Sequence, residues 1–195
     1  MKRILITLLL FFSFNLQSQA SLIKDIDFDS VNDTVYIDSD SLYIVCKLST
    51  QDFVPIFSEL NGVEDGEFGI SATRNGFEYY SSAMRGGFAC QFRYEVKAKK
   101  VRLIGMSRYE FGNATNDGSG NSSVNLLTGD YIGDWNYYDL AANKGQGKLV
   151  KIPTIRTKMP FELTYLENFT VGIFYDYMER CSALYYKYKN ALIGE

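Results

Sequence analysis

The sequence predicts an α+β fold, predominantly antiparallel β in a sandwich-like or open-barrel arrangement, with a C-terminal amphipathic helix packed on the sheet. Two patterns support this fold class. Most of the chain alternates apolar and polar residues with a period of two, which is typical of half-buried strands. Residues 172–190 instead repeat apolar side chains at steps of three and four, which is typical of a helix with one buried face. Because no linker or repeat interrupts these patterns, residues 21–195 are expected to form a single domain.

The first elements are predicted from alternation and turn chemistry. Acidic and apolar residues alternate over 23–31, which indicates a strand. Two further strands, at 34–38 and 42–48, flank a turn-rich Asp-Ser-Asp-Ser segment and should form a hairpin.

A short helix is predicted over Asp52–Leu60. Asp52 can cap its first turn, and Pro55 is tolerated there because the first turn does not need its N–H group. Gly62 would end it.

Two hairpins are predicted in the middle of the chain. Asn75-Gly76 is a strong turn signal and joins two strands within 68–81. The strand at 87–97 has apolar even positions and polar odd positions, so one of its faces should be buried. Its antiparallel partner, 101–111, contains Gly105, which indicates a β-bulge or a close backbone approach.

The remaining segments complete the predicted sheet. Residues 112–123 are rich in Gly, Asn and Ser and are expected to form a surface loop, where a mobile flap is possible. Strands follow at 124–127, 131–140 and 148–155, and the helix at about 172–190 ends the domain.

The composition excludes several classes of protein and of site. The chain has 195 residues, of which 46% are hydrophobic and 15% aromatic, so it is globular rather than disordered. It contains no histidine, which excludes a Ser/His/Asp triad, a Cys/His couple and a His-ligated zinc site. No catalytic residue, metal site or cofactor is predicted.

The N-terminus is predicted to be a bacterial export signal. Lys2 and Arg3 precede an apolar run at 4–14, and Ser18-Gln19-Ala20 is a suitable cleavage site, so residues 1–20 should be removed. The apolar run is too short for a membrane span, which needs about 20 residues. The product is therefore expected in the periplasm or outside the cell, without a membrane anchor.

The charge of the chain argues against nucleic acid as a partner. Loss of the two basic residues of the signal lowers the net charge from −3 to −5. The one local basic cluster is interpreted as a solvated hairpin tip. It comprises Lys97, Lys99, Lys100 and Arg102.

The three cysteines, Cys46, Cys90 and Cys181, all lie on apolar faces of predicted elements and should be buried. At most one disulfide can form within the chain, and the sequence does not decide whether one does or which pair would make it. Without an imidazole to activate it, none of the thiols is predicted to be a nucleophile.

Part of the chain resembles uncharacterised exported bacterial proteins rich in β-strands. The similarity includes Phe92–Glu95, a following strand with Leu103-Ile104-Gly105, a polar loop, and the motif Ser-x-Asn-x-Leu-Thr-Gly at 123–129. It covers about forty residues of the chain. The resemblance implies a β-rich exported protein and implies no activity.

One segment combines aromatic rings with acidic side chains and is the candidate ligand-binding region. Rings can stack on the apolar face of a sugar or peptide while carboxylates accept its hydroxyl or amide protons. The candidate residues are Asp130, Tyr131, Asp134, Trp135, Tyr137 and Tyr138. The alternative is an ordinary packed strand, since alternation places Tyr131, Trp135 and Tyr137 on one face.

Two functions are consistent with these features. The preferred one is an exported, non-catalytic binding protein with a protein or glycan ligand, such as an inhibitor or immunity-type partner of a secreted hydrolase or toxin. The alternative is a glycan hydrolase that uses two carboxylates, which needs no histidine. Its candidate acids are Glu64, Asp65, Glu67, Asp130, Asp134 and Asp139. The oxygen-rich loop from Asp117 is not expected to bind calcium, because Thr128 stands where such loops need a glutamate. The oligomeric state cannot be predicted from the sequence.

Overall fold

The computed structural model describes residues 21–59 and 66–194, which form two open antiparallel sheets and a long C-terminal helix. The predicted α+β class is confirmed. The predicted signal at 1–20 and the acidic residues Glu64 and Asp65 lie outside the described residues.

The smaller sheet is formed by the first four strands in chain order. They are β1 (Leu22–Lys24), β2 (Asp33–Ile37), β3 (Ile44–Lys47) and β4 (Pro55–Phe57). The predicted hairpin is present as β2 and β3, in which Val35 pairs with Cys46. Both of these side chains and Ile44 are completely buried, so this sheet contributes to the common core.

The larger sheet has eight strands, β5 (Glu67–Thr73), β6 (Gly76–Ala83), β7 (Gly86–Glu95), β8 (Lys100–Glu110), β9 (Gly120–Asn125), β10 (Asp130–Asp139), β11 (Lys148–Lys151) and β12 (Ile155–Lys158). Seven of them follow the order β11-β10-β9-β8-β7-β6-β5, and β12 also pairs with β10. Strand β10 pairs with β12 through its first half and with β11 through its second half. Pro153 lies between these two short strands, where the sequence predicted a break.

Besides a short helical turn, α1 (Ala142–Gly145), the described residues include the long helix α2 (Val171–Ile193). The helix predicted at about 172–190 is thus confirmed, and it ends at Gly194 in the left-handed conformation (φ 79°) that commonly terminates helices. No helix within residues 21–59 and 66–194 is long and apolar enough to span a membrane.

Helix α2 packs on the larger sheet through one buried face. Its buried residues, spaced by three and four, are Phe174, Tyr177, Cys181 and Tyr185. Phe174 stacks on Phe88 of β7 with 3.7 Å between ring centroids. The Tyr177 hydroxyl lies 2.8 Å from Ser122 Oγ of β9, so the polar end of this buried ring has a partner. These contacts fix the helix across the middle of the sheet.

The strand predicted over 23–31 is wrong beyond Lys24. The Asp33 carboxylate accepts a hydrogen bond from the Ile26 amide at 2.6 Å and one from the next amide at 3.2 Å. Asp25 accepts two more amides of the same loop. Because carboxylates take the amide protons that a strand would give to its neighbour, the chain bends instead.

The short helix predicted over Asp52–Leu60 is also wrong for residues 52–59, whereas Leu60 and the predicted stop at Gly62 lie outside the described residues. A 3₁₀ turn at Ser49–Gln51 is followed by Asp52 and Phe53, both with left-handed φ values near 55°. The chain then enters β4, which pairs with β3. Pro55 begins this edge strand, where a residue without an N–H group is tolerated. Pairing with β3 therefore overrides the local helix signals.

The basic hairpin tip between β7 and β8 is solvated, with Lys97 and Lys99 exposed. Lys100 forms an ion pair with Glu167 at 2.7 Å, next to the start of α2. The two strands diverge from strict pairing only at the predicted bulge near Gly105.

All three cysteines are buried and free, as the burial prediction required. Burial raises the pKa of the Cys46 and Cys90 thiols above the ordinary range, because the thiolate would lose its hydration. These thiols behave as small core side chains.

Candidate functional site: the cleft beside helix α2

The six predicted site residues lie on two opposite faces of β10. Tyr131, Trp135 and Tyr137 point inward and are no more than 7% exposed. Asp130 and Asp134 lie on the outer face, as does the half-buried Tyr138. The structure therefore does not bring the six residues together as one surface.

The outer carboxylates of β10 have local partners. Asp130 pairs with Lys158 of β12 at 2.6 Å. Asp134 accepts a hydrogen bond from Thr154 at 2.7 Å and pairs with Lys151 at 3.0 Å. These contacts lower the pKa of both aspartates, so they remain ionised at neutral pH.

The inward rings of β10 form part of the core. Trp135 Nε1 donates a hydrogen bond to the Tyr131 hydroxyl at 3.0 Å. Burial raises the pKa of Tyr131 to about 12. The Trp135 ring also contacts Tyr185 of α2, with 6.4 Å between centroids. These two rings therefore help to fix the helix on the sheet.

Trp135 is also part of the floor of a cleft of about 250 Å³ between the larger sheet, the loop after β8 and helix α2. We call it the α2 cleft. Its lining residues are Arg108, Glu110, Gly112, Asn113, Asp117, Gly118, Trp135, Cys181, Ser182, Tyr185 and Tyr186. Of the sequence-predicted site residues, Trp135 alone contributes to it.

Arg108 is the central cation of the α2 cleft. Its side chain is only 6% exposed and pairs with Glu110 on the same strand. Its guanidinium lies 5.4 Å from the centre of the Trp135 ring, a cation–π distance, and Nη1 donates to the Met178 carbonyl of α2 at 3.3 Å. One arginine therefore joins β8, β10 and α2.

A β-bulge directs Arg108 inward. Gln91 of β7 pairs with Gly105, but the next residue of β7 pairs with Leu103, which leaves Ile104 as an extra residue in β8. Strict alternation from Leu103 would place Arg108 outside, and the extra residue shifts the pattern by one position. Met106 and Arg108 thus join the buried face.

Asp117 holds the opposite wall of the cleft together. Its Oδ1 atom accepts hydrogen bonds from the Tyr138 amide at 2.7 Å and the Tyr185 hydroxyl at 3.2 Å, and lies 3.3 Å from Lys189 Nζ. Burial opposes its ionisation, but these three donors outweigh burial and lower its pKa. The same contact, together with burial, raises the pKa of Tyr185.

The predicted polar loop beside the cleft is hydrogen-bonded to Arg85. Arg85 donates to the carbonyls of Gly112 at 2.7 Å and Asn113 at 2.8 Å. The loop is shorter than predicted, because β9 already begins at Gly120. The hydrogen bonds from Arg85 connect this loop to the turn between β6 and β7.

Comparison of the chain with family models, curated proteins and solved structures gives no match. Its function must therefore be inferred from the chemistry of its own residues.

The α2 cleft presents both hydrogen-bond donors and hydrogen-bond acceptors. It offers a guanidinium, two carboxylates, an amide and hydroxyl groups beside tyrosine rings. Tyr186, at its rim, is 59% exposed and can contact a ligand. The cationic centre, Arg108, was missed by the sequence analysis, although the predicted bulge was the signal that could have placed it on the inner face.

A second group of residues, outside the cleft, could hold a metal ion. Carboxylate oxygens of Asp25, Asp27 and Asp29 lie within 4.8 Å of one another in the loop after β1. The alternation of these aspartates with apolar residues predicts a strand, which the structure does not contain beyond Lys24. Calcium-binding loops of the EF-hand type also begin with the pattern Asp-x-Asp-x-Asp. This pattern is the sequence signal that could have identified the group as metal ligands.

Proposed function

We propose that the protein is an exported, non-catalytic binding protein that holds a glycan ligand in the α2 cleft. The observation that carries this proposal is the buried Arg108 guanidinium, which lies 5.4 Å from the centre of the Trp135 ring and lines a polar cleft. A guanidinium has five N–H donors, and the contacts with Glu110 and the Met178 carbonyl occupy two of its nitrogen atoms, so further donors remain to bind a polar ligand. The predicted export signal supplies the location.

The mixture of groups around the cleft favours a sugar over an apolar ligand. Its lining includes both donors and acceptors, such as Arg108, Asn113 and Ser182, and such groups can match the hydroxyl groups of a pyranose. The exposed Tyr186 ring offers an apolar face on which a sugar ring can stack. A small number of polar groups beside aromatic rings is the usual composition of such sites.

The carboxylates of the cleft support binding rather than hydrolysis. Glycoside hydrolysis needs one carboxylic acid that is still protonated near neutral pH, with a raised pKa. Asp117 has a lowered pKa, and Glu110 is paired with Arg108. The outer acids Asp130 and Asp134 also have lowered pKa values. The three aspartates therefore do not meet the requirement for a general acid, and the Glu110 carboxylate is committed to its ion pair with Arg108.

Tryptophan fluorescence tests the proposal directly, because Trp135 is the single tryptophan of the chain and contacts the cleft. The protein is titrated with soluble peptidoglycan fragments and with bacterial envelope polysaccharides. We expect a saturable change in tryptophan emission with at least one of them. Tyr186→Ala should weaken binding by about tenfold, the effect of losing roughly 1.4 kcal/mol of stacking.

Tyr175→Ala is the matched control. Tyr175 lies on the same helix, is 50% exposed and does not line the α2 cleft. Its replacement should leave the titration unchanged. No response across the panel, or equal losses in the two variants, would contradict the proposal. Release of reducing sugar by the wild-type protein would favour the hydrolase instead, and capture of a protein that competes at Tyr186 would favour a protein ligand.

A further inference from the structure

We infer that the loop between β1 and β2 binds a divalent cation, with calcium as the preferred ion, through Asp25, Asp27 and Asp29. The three residues occupy alternate positions, and one oxygen of each lies within 4.8 Å of the others. Two ligands on opposite sides of a calcium ion are about 4.6–5.2 Å apart, since each bond is about 2.3–2.6 Å long. The cluster thus has the dimensions of a calcium coordination shell.

Asp27 provides the independent observation that points to a ligand. Its side chain is among the buried polar groups, with only 6% exposure. One oxygen, Oδ2, accepts hydrogen bonds from Thr50, whereas Oδ1 is buried and has no hydrogen-bond partner in the described structure. A buried carboxylate oxygen without a donor is strongly disfavoured unless a cation satisfies it.

No basic side chain in the described ranges forms an ion pair with these three aspartates. The nearest lysine in sequence, Lys24, is directed elsewhere. Its ammonium group donates to the carbonyls of Thr73, Arg74 and Gly76 at the β5–β6 turn. Three carboxylates therefore lie close together without a compensating protein cation, and a divalent ion would supply the charge.

The surrounding residues hold the loop in this shape. Asp33 is fully buried and accepts backbone hydrogen bonds from Ile26, Asp27 and Ser49, so it positions the loop rather than binding the ion. Ser49 Oγ donates to Asp29 at 2.7 Å. Oriented partners of this kind behind the ligands are a usual feature of metal sites.

The chemistry of the ligands selects the class of ion. The cluster presents oxygen atoms and no nitrogen or sulfur, which favours a hard cation over zinc or copper. An irregular cluster of carboxylates suits calcium better than magnesium, because calcium accepts variable geometry whereas magnesium demands near-ideal octahedral geometry. The consequence of binding would be to stabilise the junction between β1 and β2.

The test uses the purified protein, freed of metal with a chelator, and calcium chloride as the probe. Isothermal titration calorimetry should show one calcium ion per chain, with a dissociation constant on the order of 10⁻⁴ to 10⁻³ M if it resembles extracellular sites. At a calcium concentration about 100-fold above that constant, the melting temperature should rise by about 5 to 10 °C. Magnesium chloride at the same concentration should have a smaller effect.

Asp27→Asn and Asp25→Asn should each abolish the calcium-dependent rise. Asp40→Asn is the matched control, because it removes the same charge from an exposed turn of the same sheet and should keep the full response. If Asp27→Asn does not fold, Asp25→Asn carries the same test. The inference is overturned if calcium does not change the wild-type melting temperature. It is also overturned if calcium still raises the melting temperature of both Asp25→Asn and Asp27→Asn. If two of the carboxylates instead share a proton, calcium should leave the wild-type melting temperature unchanged, and the protein should be more stable in mild acid.

Discussion

Replacing Asp117 by asparagine is expected to destabilise the protein and to loosen the wall of the α2 cleft. Asp117 accepts hydrogen bonds from the Tyr138 amide and the Tyr185 hydroxyl and pairs with Lys189, so it joins the loop to both β10 and α2. Asparagine has nearly the same shape but no charge. The variant therefore tests the charge while it keeps the packing.

The size of the effect follows from these three contacts. A hydrogen bond to a charged group contributes about 1.5–3 kcal/mol and a neutral one about 0.5–1.5 kcal/mol, so each of the two bonds should weaken by about 1 kcal/mol. Loss of the partly buried pair with Lys189 adds up to about 1 kcal/mol. The total is about 2–3 kcal/mol, which corresponds to a fall in melting temperature of about 4–12 °C for a chain of this length.

The difference between wild type and variant should depend on pH. The folded pKa of Asp117 is lowered, whereas an aspartate in an unfolded chain has a pKa near 3.9. The ionised group therefore contributes its full stability above about pH 4 to 5, and this contribution is lost as the pH falls through the folded pKa. In stronger acid the two proteins should melt at similar temperatures.

Differential scanning calorimetry of both proteins from neutral to acid pH measures this. Asp130→Asn is the matched control, because Asp130 also pairs with a lysine but is exposed, and its loss should change the melting temperature little. Equal melting temperatures of Asp117→Asn and wild type at neutral pH would refute this prediction. A difference in melting temperature that stays the same from neutral to acid pH would refute it as well.

Two further predictions concern the core. Phe174→Ala removes a buried ring that stacks on Phe88 and should cost about 3–5 kcal/mol, seen as a lower urea midpoint with an unchanged slope; a loss below about 1 kcal/mol would mean that α2 is not held by this contact. Cys46, Cys90 and Cys181 are buried, so a thiol reagent should label none of them in the native protein and all three in denaturant. Rapid labelling without denaturant would contradict the described burial.

The elements predicted best from the sequence are those with one long, uninterrupted pattern. The helix near 172–190 and the strand at 87–97 were found within a few residues, because each has a wide apolar face against a common core. The failures at 23–31 and 52–60 have a different origin. There, side-chain hydrogen bonds and pairing with the preceding strand decide the conformation, and neither is visible in local periodicity.

The candidate site was less predictable than the fold. Trp135 was identified because aromatic residues stand out in a sequence. Arg108, Asp117 and Tyr185 were not, since they come from a strand, a loop and a helix that meet only after the chain has folded. Because these residues are far apart in sequence, local patterns do not predict the site. Only the bulge predicted at Gly105 indicated locally that Arg108 could lie on the buried face.

Because Ile104 is an extra residue in β8, the position of Arg108 in the cleft depends on the length of this strand. If Ile104 were deleted, alternation from Leu103 would become regular and Arg108 would remain on the inner face. If Ser107 were deleted while the bulge at Ile104 persisted, Arg108 would rotate into solvent and Tyr109 would take its place. Deletion of Ile104 thus keeps the cationic centre of the cleft, whereas deletion of Ser107, three positions later, removes it. Gain or loss of a single residue in this strand can therefore move the cationic side chain out of the cleft while every residue that lines the cleft remains in the sequence.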